Sequence, residues 1–122
     1  YTTLFRSELK KVDQLTNHAF LSEKILYPAI DFSSERGLIN PLESKVLKRA
    51  VELGTIKAGD LRAVLPDLKP TQVTYQLGKL IERGLLQPVE EGARTYTAKF
   101  SNSYLIRGVI KVLRDEGFIP DL

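Results

Sequence analysis

The sequence predicts an α+β fold that is mostly helical, with an N-terminal helical arm and a C-terminal helix around a small central domain. Along most of the chain, apolar residues recur every three or four positions, the periodicity of a helix that buries one face. Pro, Gly or Asn separates these segments. Near residue 90, two short apolar segments flank "EEGA", whose Gly suits the tight turn of a β-hairpin.

The bulk composition is that of a soluble globular domain. The chain has 122 residues, of which 43% are hydrophobic and 27% are charged. No stretch approaches the roughly 20 apolar residues of a membrane span, and no basic-then-apolar leader is visible. With no cysteine in the chain, these features predict a cytoplasmic protein that does not contact a membrane.

The residue types also restrict the chemistry. The absence of cysteine excludes disulfides, thiolate metal sites and a cysteine nucleophile, and a single histidine, His18, argues against a two-histidine metal site or a catalytic triad. No pair of carboxylates lies in a context that suggests acid–base catalysis. We therefore expect no catalytic residue, metal or cofactor here. The chain begins with Tyr1 and contains no Met, so we expect it to be part of a longer protein.

The first third of the sequence predicts a helical arm and a connector. Residues 2–27 have an apolar face made by Leu4, Val12, Leu15 and Ala19. Pro28 is expected to end or bend this helix, because proline lacks an N–H and restricts the residue before it. Residues 29–41, "AIDFSSERGLINP", contain several turn formers and predict a connector. We thus divide the chain into residues 1–40 and residues 41–122.

The central domain opens with a strong helix-start signal. Asn40 suits the cap position, Pro41 the first helical position, and Glu43 the third position of a capping box. A short extended piece at residues 55–57 and a short helix at residues 58–66 are predicted to follow.

A third helix and a hairpin complete the pattern. Thr71 is expected to cap the helix, whose apolar stripe is Val73, Leu77, Leu80 and Ile81. Gly84 suits the left-handed conformation that ends a helix. Gly78, in mid-helix, costs about 1 kcal/mol relative to Ala, which predicts a close backbone contact there. Strands are predicted at residues 85–89 and 94–98, and a last amphipathic helix at 103–117.

This order of elements resembles a winged helix-turn-helix domain over residues 41–98. The most specific part is "VTYQLGKLIERGLL", residues 73–86, which resembles the end of that fold's recognition helix and the strand after it. The resemblance implies a DNA-binding or regulatory module.

The C-terminal region carries a second, narrower resemblance. "RTYTAKFSNSYLIRGVIKVLRDEGFIP", after a winged helix, resembles the C-terminal region of some Fic-family proteins. That family has an adenylyl-transfer domain with a His-Pro-Phe…Gly-Asn-Gly-Arg motif. Here "NHAF" at residues 17–20 has no Pro after its histidine, and no Gly-Asn-Gly-Arg follows. The resemblance therefore implies the non-catalytic tail of a nucleotidyl-transferring protein, with a Fic catalytic domain elsewhere in the same chain.

The polar face of the third helix is the candidate DNA-binding site. Its two glutamines suit adenine edges, its two hydroxyl-bearing residues suit a phosphate or a thymine methyl, and its two cations suit phosphates. These residues are Thr71, Gln72, Tyr75, Gln76, Lys79 and Arg83. In the hairpin, Arg94 is the cation that could contact the DNA backbone.

Other features favour a protein-interaction or dimerisation module that binds no DNA. The net charge is only +3, Glu82 lies on the same helix face, and the hairpin tip begins with Glu90 and Glu91. The apolar faces of the terminal helices, from Leu4 to Ala19 and from Leu105 to Leu113, need cover. They could cover each other, the catalytic domain of a longer chain, or a second copy in a homodimer.

Overall fold

The computed structural model describes residues 17–120 and confirms the predicted fold class: a mostly helical α+β winged helix with one small antiparallel sheet. Helix α1 is continuous, with α-helical His18–Phe20, π-helical Leu21–Leu26 and α-helical Tyr27–Glu35. The remaining elements are α2 (Pro41–Leu53), α3 (Ala58–Val64), α4 (Pro70–Glu82), β1 (Leu86–Pro88), β2 (Tyr96–Ala98) and α5 (Ile106–Asp115). Within these described residues, no helix combines the length and hydrophobicity needed to cross a bilayer.

Helix α1 runs through Pro28, so of the expected end or bend the helix end was wrong. Of the connector expected over residues 29–41, residues 29–35 are helical and only the residues between Glu35 and Pro41 form a turn. The turn before the proline is π-helical, and the Tyr27 N–H donates to the Ser22 carbonyl five residues back. Pro28 then lies in the first turn of the next α-helical segment, where its missing N–H costs little. Continuing the helix also buries Ala29 and Ile30 completely. Burying these two apolar side chains stabilises a helix here relative to an exposed connector.

Part of the predicted N-terminal arm lies outside the described residues. This holds for the apolar face from Leu4 to Leu15. Ala19, the last member of that face, is exposed at the start of α1.

The start of α2 confirms the predicted capping box. The Asn40 N–H donates to Oε1 of Glu43 over 2.9 Å, and the Glu43 N–H donates to Oδ1 of Asn40 over 2.8 Å. Glu43 is buried at 4% exposure, and the hydrogen bond from the Asn40 N–H fixes the position of its carboxylate.

Helix α4 starts earlier than the sequence predicted. Lys69 is the cap residue and Pro70 the first helical residue, so the expectation that Thr71 caps the helix was wrong. The physical reason is the fixed φ of proline, which suits the first helical position. The helix ends as predicted: Gly84 has a φ of 73°, and Leu85 and Leu86 return to the core behind it.

The hairpin forms the wing. Strands β1 and β2 pair antiparallel, with Leu86 opposite Ala98, and the turn contains Gly92 at a φ of 78°. Ile56, in the predicted extended piece, pairs with Tyr96 through two backbone hydrogen bonds of 2.8 and 2.9 Å. This pairing ties the wing to the segment between α2 and α3.

Two apolar clusters hold the domain together. The main core lies between α2, α3, α4 and the wing, and α1 contributes Ile30 to it. The second cluster joins α1 to α5 through Ile25, Ala29 and Val112. Where α1 and α5 cross, a Cβ built on Gly108 would lie 2.6 Å from the Ala29 carbonyl oxygen. The backbones of the two helices are therefore in direct contact there. Within the described residues, α1 therefore covers part of the apolar face of α5.

Candidate nucleic-acid interface

The outward face of α4 is open along its length. Thr71, Gln72, Tyr75 and Lys79 are all exposed there, as the sequence predicted, and Tyr75 reaches 59% exposure. Gly78 lies on the same face, and apart from its own stretch of helix no atom comes within 4 Å of the position that a Cβ would take. The described chain itself makes no close contact at Gly78, so the close backbone contact expected there stays a prediction for a bound partner.

The charged side chains on this face are mainly positive. The helix carries no carboxylate from Pro70 to Ile81, and Glu82 is its last residue. Lys69 at the cap and Lys79 in the third turn are exposed, and neither forms an ion pair within the described residues. The Lys79 ammonium lies 5.4 Å from the centroid of the Tyr75 ring, a cation–π distance. Positive charge thus stands at both ends of the exposed polar stretch.

Lys69 is a residue that sequence reasoning missed. Its sequence signal is its place before Pro70, since a residue before a helix-starting proline falls at the cap.

Gln72 is fixed by a hydrogen bond to its own helix. Its Oε1 atom accepts from the Lys69 backbone N–H over 2.9 Å. The side chain is otherwise exposed, and its amide nitrogen donates to no protein acceptor among the described residues. Gln72 therefore presents its N–H₂ group to the outside while its oxygen completes the helix start.

Gln76 faces a different environment from the residues before it. It is half-buried and lines a cleft of about 690 Å³ beneath α4, together with Asn40, Arg83 and Tyr104. The side chain thus lies at the flank of the exposed face, beside the turn between α1 and α2.

Arg83 is the predicted DNA contact whose surroundings differ most from the expectation. Its Nε lies 2.7 Å from Oε2 of Glu43, a charge contact that lacks the alignment of a hydrogen bond. One terminal nitrogen donates to the Leu38 carbonyl over 2.8 Å, and the guanidinium lies 4.4 Å from the Tyr104 ring centroid. The Arg83 carbonyl in turn accepts from Nδ2 of Asn102 over 2.8 Å. The guanidinium is therefore engaged inside the domain.

Glu43, Tyr104 and Asn102 belong to this network and were not singled out as its members from the sequence. For Glu43 the capping-box motif predicted its place at the helix start. It did not predict the ion pair with Arg83, which lies 40 positions further along the chain. The other two residues follow a strand without any motif that marks them.

The wing has the acidic tip that the sequence indicated. Glu90, Glu91 and Arg94 are exposed, and the turn is closed by the Ala93 N–H donating to the Glu90 carbonyl over 3.1 Å. Arg94 lies on this loop and not on α4. The structure therefore gathers Thr71, Gln72, Tyr75 and Lys79 on one face, and leaves the wing cation on another element.

Comparisons with known proteins give a structural similarity and no sequence match. No family model and no curated protein sequence matches the chain. Among solved structures, the chain is similar to the YusO protein from Bacillus subtilis, with 17% sequence identity and a TM-score of 0.46. The match covers 94% of this chain and 86% of that one.

Proposed function

We propose that this chain is a DNA-binding winged-helix module whose helix α4 enters the major groove. One observation supports this most: the outward face of α4 is exposed, polar and free of carboxylates from Pro70 to Ile81, and a lysine without an ion-pair partner among the described residues stands at each end of it. A major groove accepts one helix, and a helix that reads it needs polar side chains near its start and cations for phosphates.

Each exposed residue has a role in this proposal. Lys69 and Lys79 contact phosphates on either side of the groove, because the two exposed residues lie at opposite ends of the face. Thr71 and Gln72 lie in the first helical turn, the part of a recognition helix that approaches base edges. Tyr75, one turn further along, contacts a phosphate or a thymine methyl.

The test is a titration of a mixed-sequence duplex followed by fluorescence anisotropy, at several salt concentrations. Lys69→Ala/Lys79→Ala is compared with Lys24→Ala/Lys45→Ala, which removes two exposed lysines from α1 and α2 and so makes the same change in net charge. If α4 carries two phosphate contacts, the first variant lowers the slope of log K against log salt by about 1.8, at roughly 0.9 per contact.

Two results contradict the proposal. If both variants lose the same affinity, binding follows net charge and not the α4 face. If the folded wild-type chain binds no duplex even at low salt, DNA is not its ligand. Circular dichroism on each variant checks that the fold is retained.

A protein-interaction or dimerisation module is the second candidate, and two observations favour it. The wing tip presents Glu90 and Glu91, which would repel a phosphate backbone, and Arg83 already has partners within the domain. Under this candidate, sedimentation analysis of the wild-type chain gives a dimer whose formation does not depend on DNA. A monomer at every concentration tested would contradict dimerisation.

The resemblance to Fic-family C-terminal regions leads to a further part of the proposal. We infer that the module belongs to a longer chain with an adenylyl-transferring domain, and that it positions or regulates that domain. Sequencing the reading frame upstream of Tyr1 tests this: a frame without a His-Pro-Phe…Gly-Asn-Gly-Arg motif would contradict it.

A further inference from the structure

We propose that Gln72 selects a guanine in the DNA site through the two donors of its side-chain amide. This inference rests on the proposed function and names one base that the α4 face reads. The observation behind it is the helix-start hydrogen bond: Oε1 of Gln72 lies 2.9 Å from the Lys69 backbone nitrogen. A backbone N–H can only donate, so the oxygen and not the nitrogen of the amide must occupy this position.

The fixed oxygen changes what the side chain can recognise. A free glutamine reads adenine with both ends of its amide, accepting from N6 and donating to N7. In Gln72 one lone pair of the oxygen is occupied at the start of its own helix, whereas the exposed N–H₂ keeps both donors for a ligand. The major-groove edge of guanine offers two acceptors, N7 and O6, and no donor. We therefore expect Gln72 to read guanine in place of the adenine edge expected from the sequence alone.

The helix start also keeps this arrangement in place. Pro70 has no N–H to offer, so the orphan donor next to it is the Lys69 N–H, which lacks another acceptor among the described residues. Breaking the Gln72 bond would give up this helix-cap interaction, which opposes rotation of the amide away from it. The N–H₂ group therefore favours one orientation before any DNA arrives.

The test is selection of bound duplexes from a random library by the full chain, followed by sequencing. Wild type is compared with Gln72→Glu, in which a carboxylate oxygen still accepts from the Lys69 N–H but no N–H donor remains. We expect one position at which wild type prefers guanine over adenine by roughly tenfold. At the same position Gln72→Glu is expected to prefer cytosine, because its free oxygen accepts from the cytosine N4 amino group.

A chemical substitution in the selected duplex tests the acceptor directly. Replacing that guanine by 7-deazaguanine removes N7 and keeps Watson–Crick pairing. We expect wild type to lose affinity roughly tenfold, and Gln72→Ala to bind both duplexes equally. Helix content measured by circular dichroism confirms that Gln72→Ala is folded.

The outcomes separate this inference from the function on which it rests. A motif with adenine at the Gln72 position, or the same motif from wild type and Gln72→Glu, overturns the guanine readout and leaves DNA binding standing. If wild-type affinity falls on methylphosphonate substitution of one phosphate and not on 7-deazaguanine substitution, the amide donates to the backbone and the inference is wrong. If no duplex is enriched although the chain binds a mixed-sequence duplex, only the guanine readout is wrong. If the folded chain binds no duplex at low salt, both are wrong.

Discussion

The side-chain Nε of Arg83, at the end of α4, lies 2.7 Å from Oε2 of Glu43, at the start of α2. Glu43 is buried, and its other oxygen accepts from the Asn40 N–H. One carboxylate therefore joins a helix cap to an ion pair, and it connects the start of α2 to the end of α4. The same guanidinium that the sequence suggested for a phosphate thus helps to fix the position of α4.

Arg83→Ala should destabilise the fold and leave DNA affinity nearly unchanged. Removing the guanidinium strands a buried carboxylate, and we expect the free energy of unfolding to fall by about 2 kcal/mol, less than for a fully buried pair because the Arg83 side chain is 34% exposed. Urea denaturation measures this loss. Arg62→Ala, at an exposed arginine on α3, is the matched control and should change stability by less than about 0.5 kcal/mol. A large loss of DNA affinity in folded Arg83→Ala would contradict this assignment.

Gly84→Ala should cost more than Gly92→Ala, although both glycines have a φ near the left-handed region, 73° and 78°. At Gly92 no atom lies within 4 Å of a built Cβ, so only backbone strain of about 1 kcal/mol is expected. At Gly84 the Cβ would lie 2.9 Å from Nδ2 of Asn102, which donates to the Arg83 carbonyl. Displacing that amide raises the expected cost to about 2–3 kcal/mol. If urea denaturation gives the same loss of unfolding free energy for both variants, the contact with Asn102 does not add to the cost at Gly84.

Two mid-helix glycines should respond to alanine with opposite signs. Gly78→Ala meets empty space on the exposed face of α4, so we expect it to stabilise the fold by about 0.5–1 kcal/mol. Gly108→Ala would place its Cβ 2.6 Å from the Ala29 carbonyl oxygen and force α1 and α5 apart, at a net cost of about 1–3 kcal/mol. The thermal midpoints should shift up for the first and down for the second. A stabilised Gly108→Ala would mean that the helix crossing adjusts freely.

Neutralising the wing tip should strengthen binding to a duplex. Glu90→Gln/Glu91→Gln removes two exposed carboxylates from the loop between the strands, and we expect a gain of about 1 kcal/mol, or roughly fivefold, at low salt. Anisotropy titrations measure the gain, which should shrink as salt is raised. Glu23→Gln/Glu35→Gln makes the same charge change at exposed positions of α1 and should have less effect. Equal gains would indicate that the wing lies away from the DNA.

The sequence by itself determined the local structure wherever neighbouring residues supply both partners of an interaction. The capping box of Asn40 and Glu43 spans three positions, and Gly84 ends its helix through its own backbone freedom. The amphipathic stripe of α4 likewise follows from periodicity alone, with Val73 and Leu80 buried as expected.

Only the tertiary structure decided the interactions whose partners are distant in the chain. Helix α1 continues past Pro28 because its next turn is buried, with Ala29 packed at backbone distance from Gly108. Arg83 turns inward because Leu38 and Glu43, 45 and 40 positions away, surround its guanidinium. Local sequence preferences cannot anticipate partners that are distant in the chain. Burying Ala29 and pairing Arg83 outweigh the local tendency of Pro28 to end a helix and of an arginine to stay exposed.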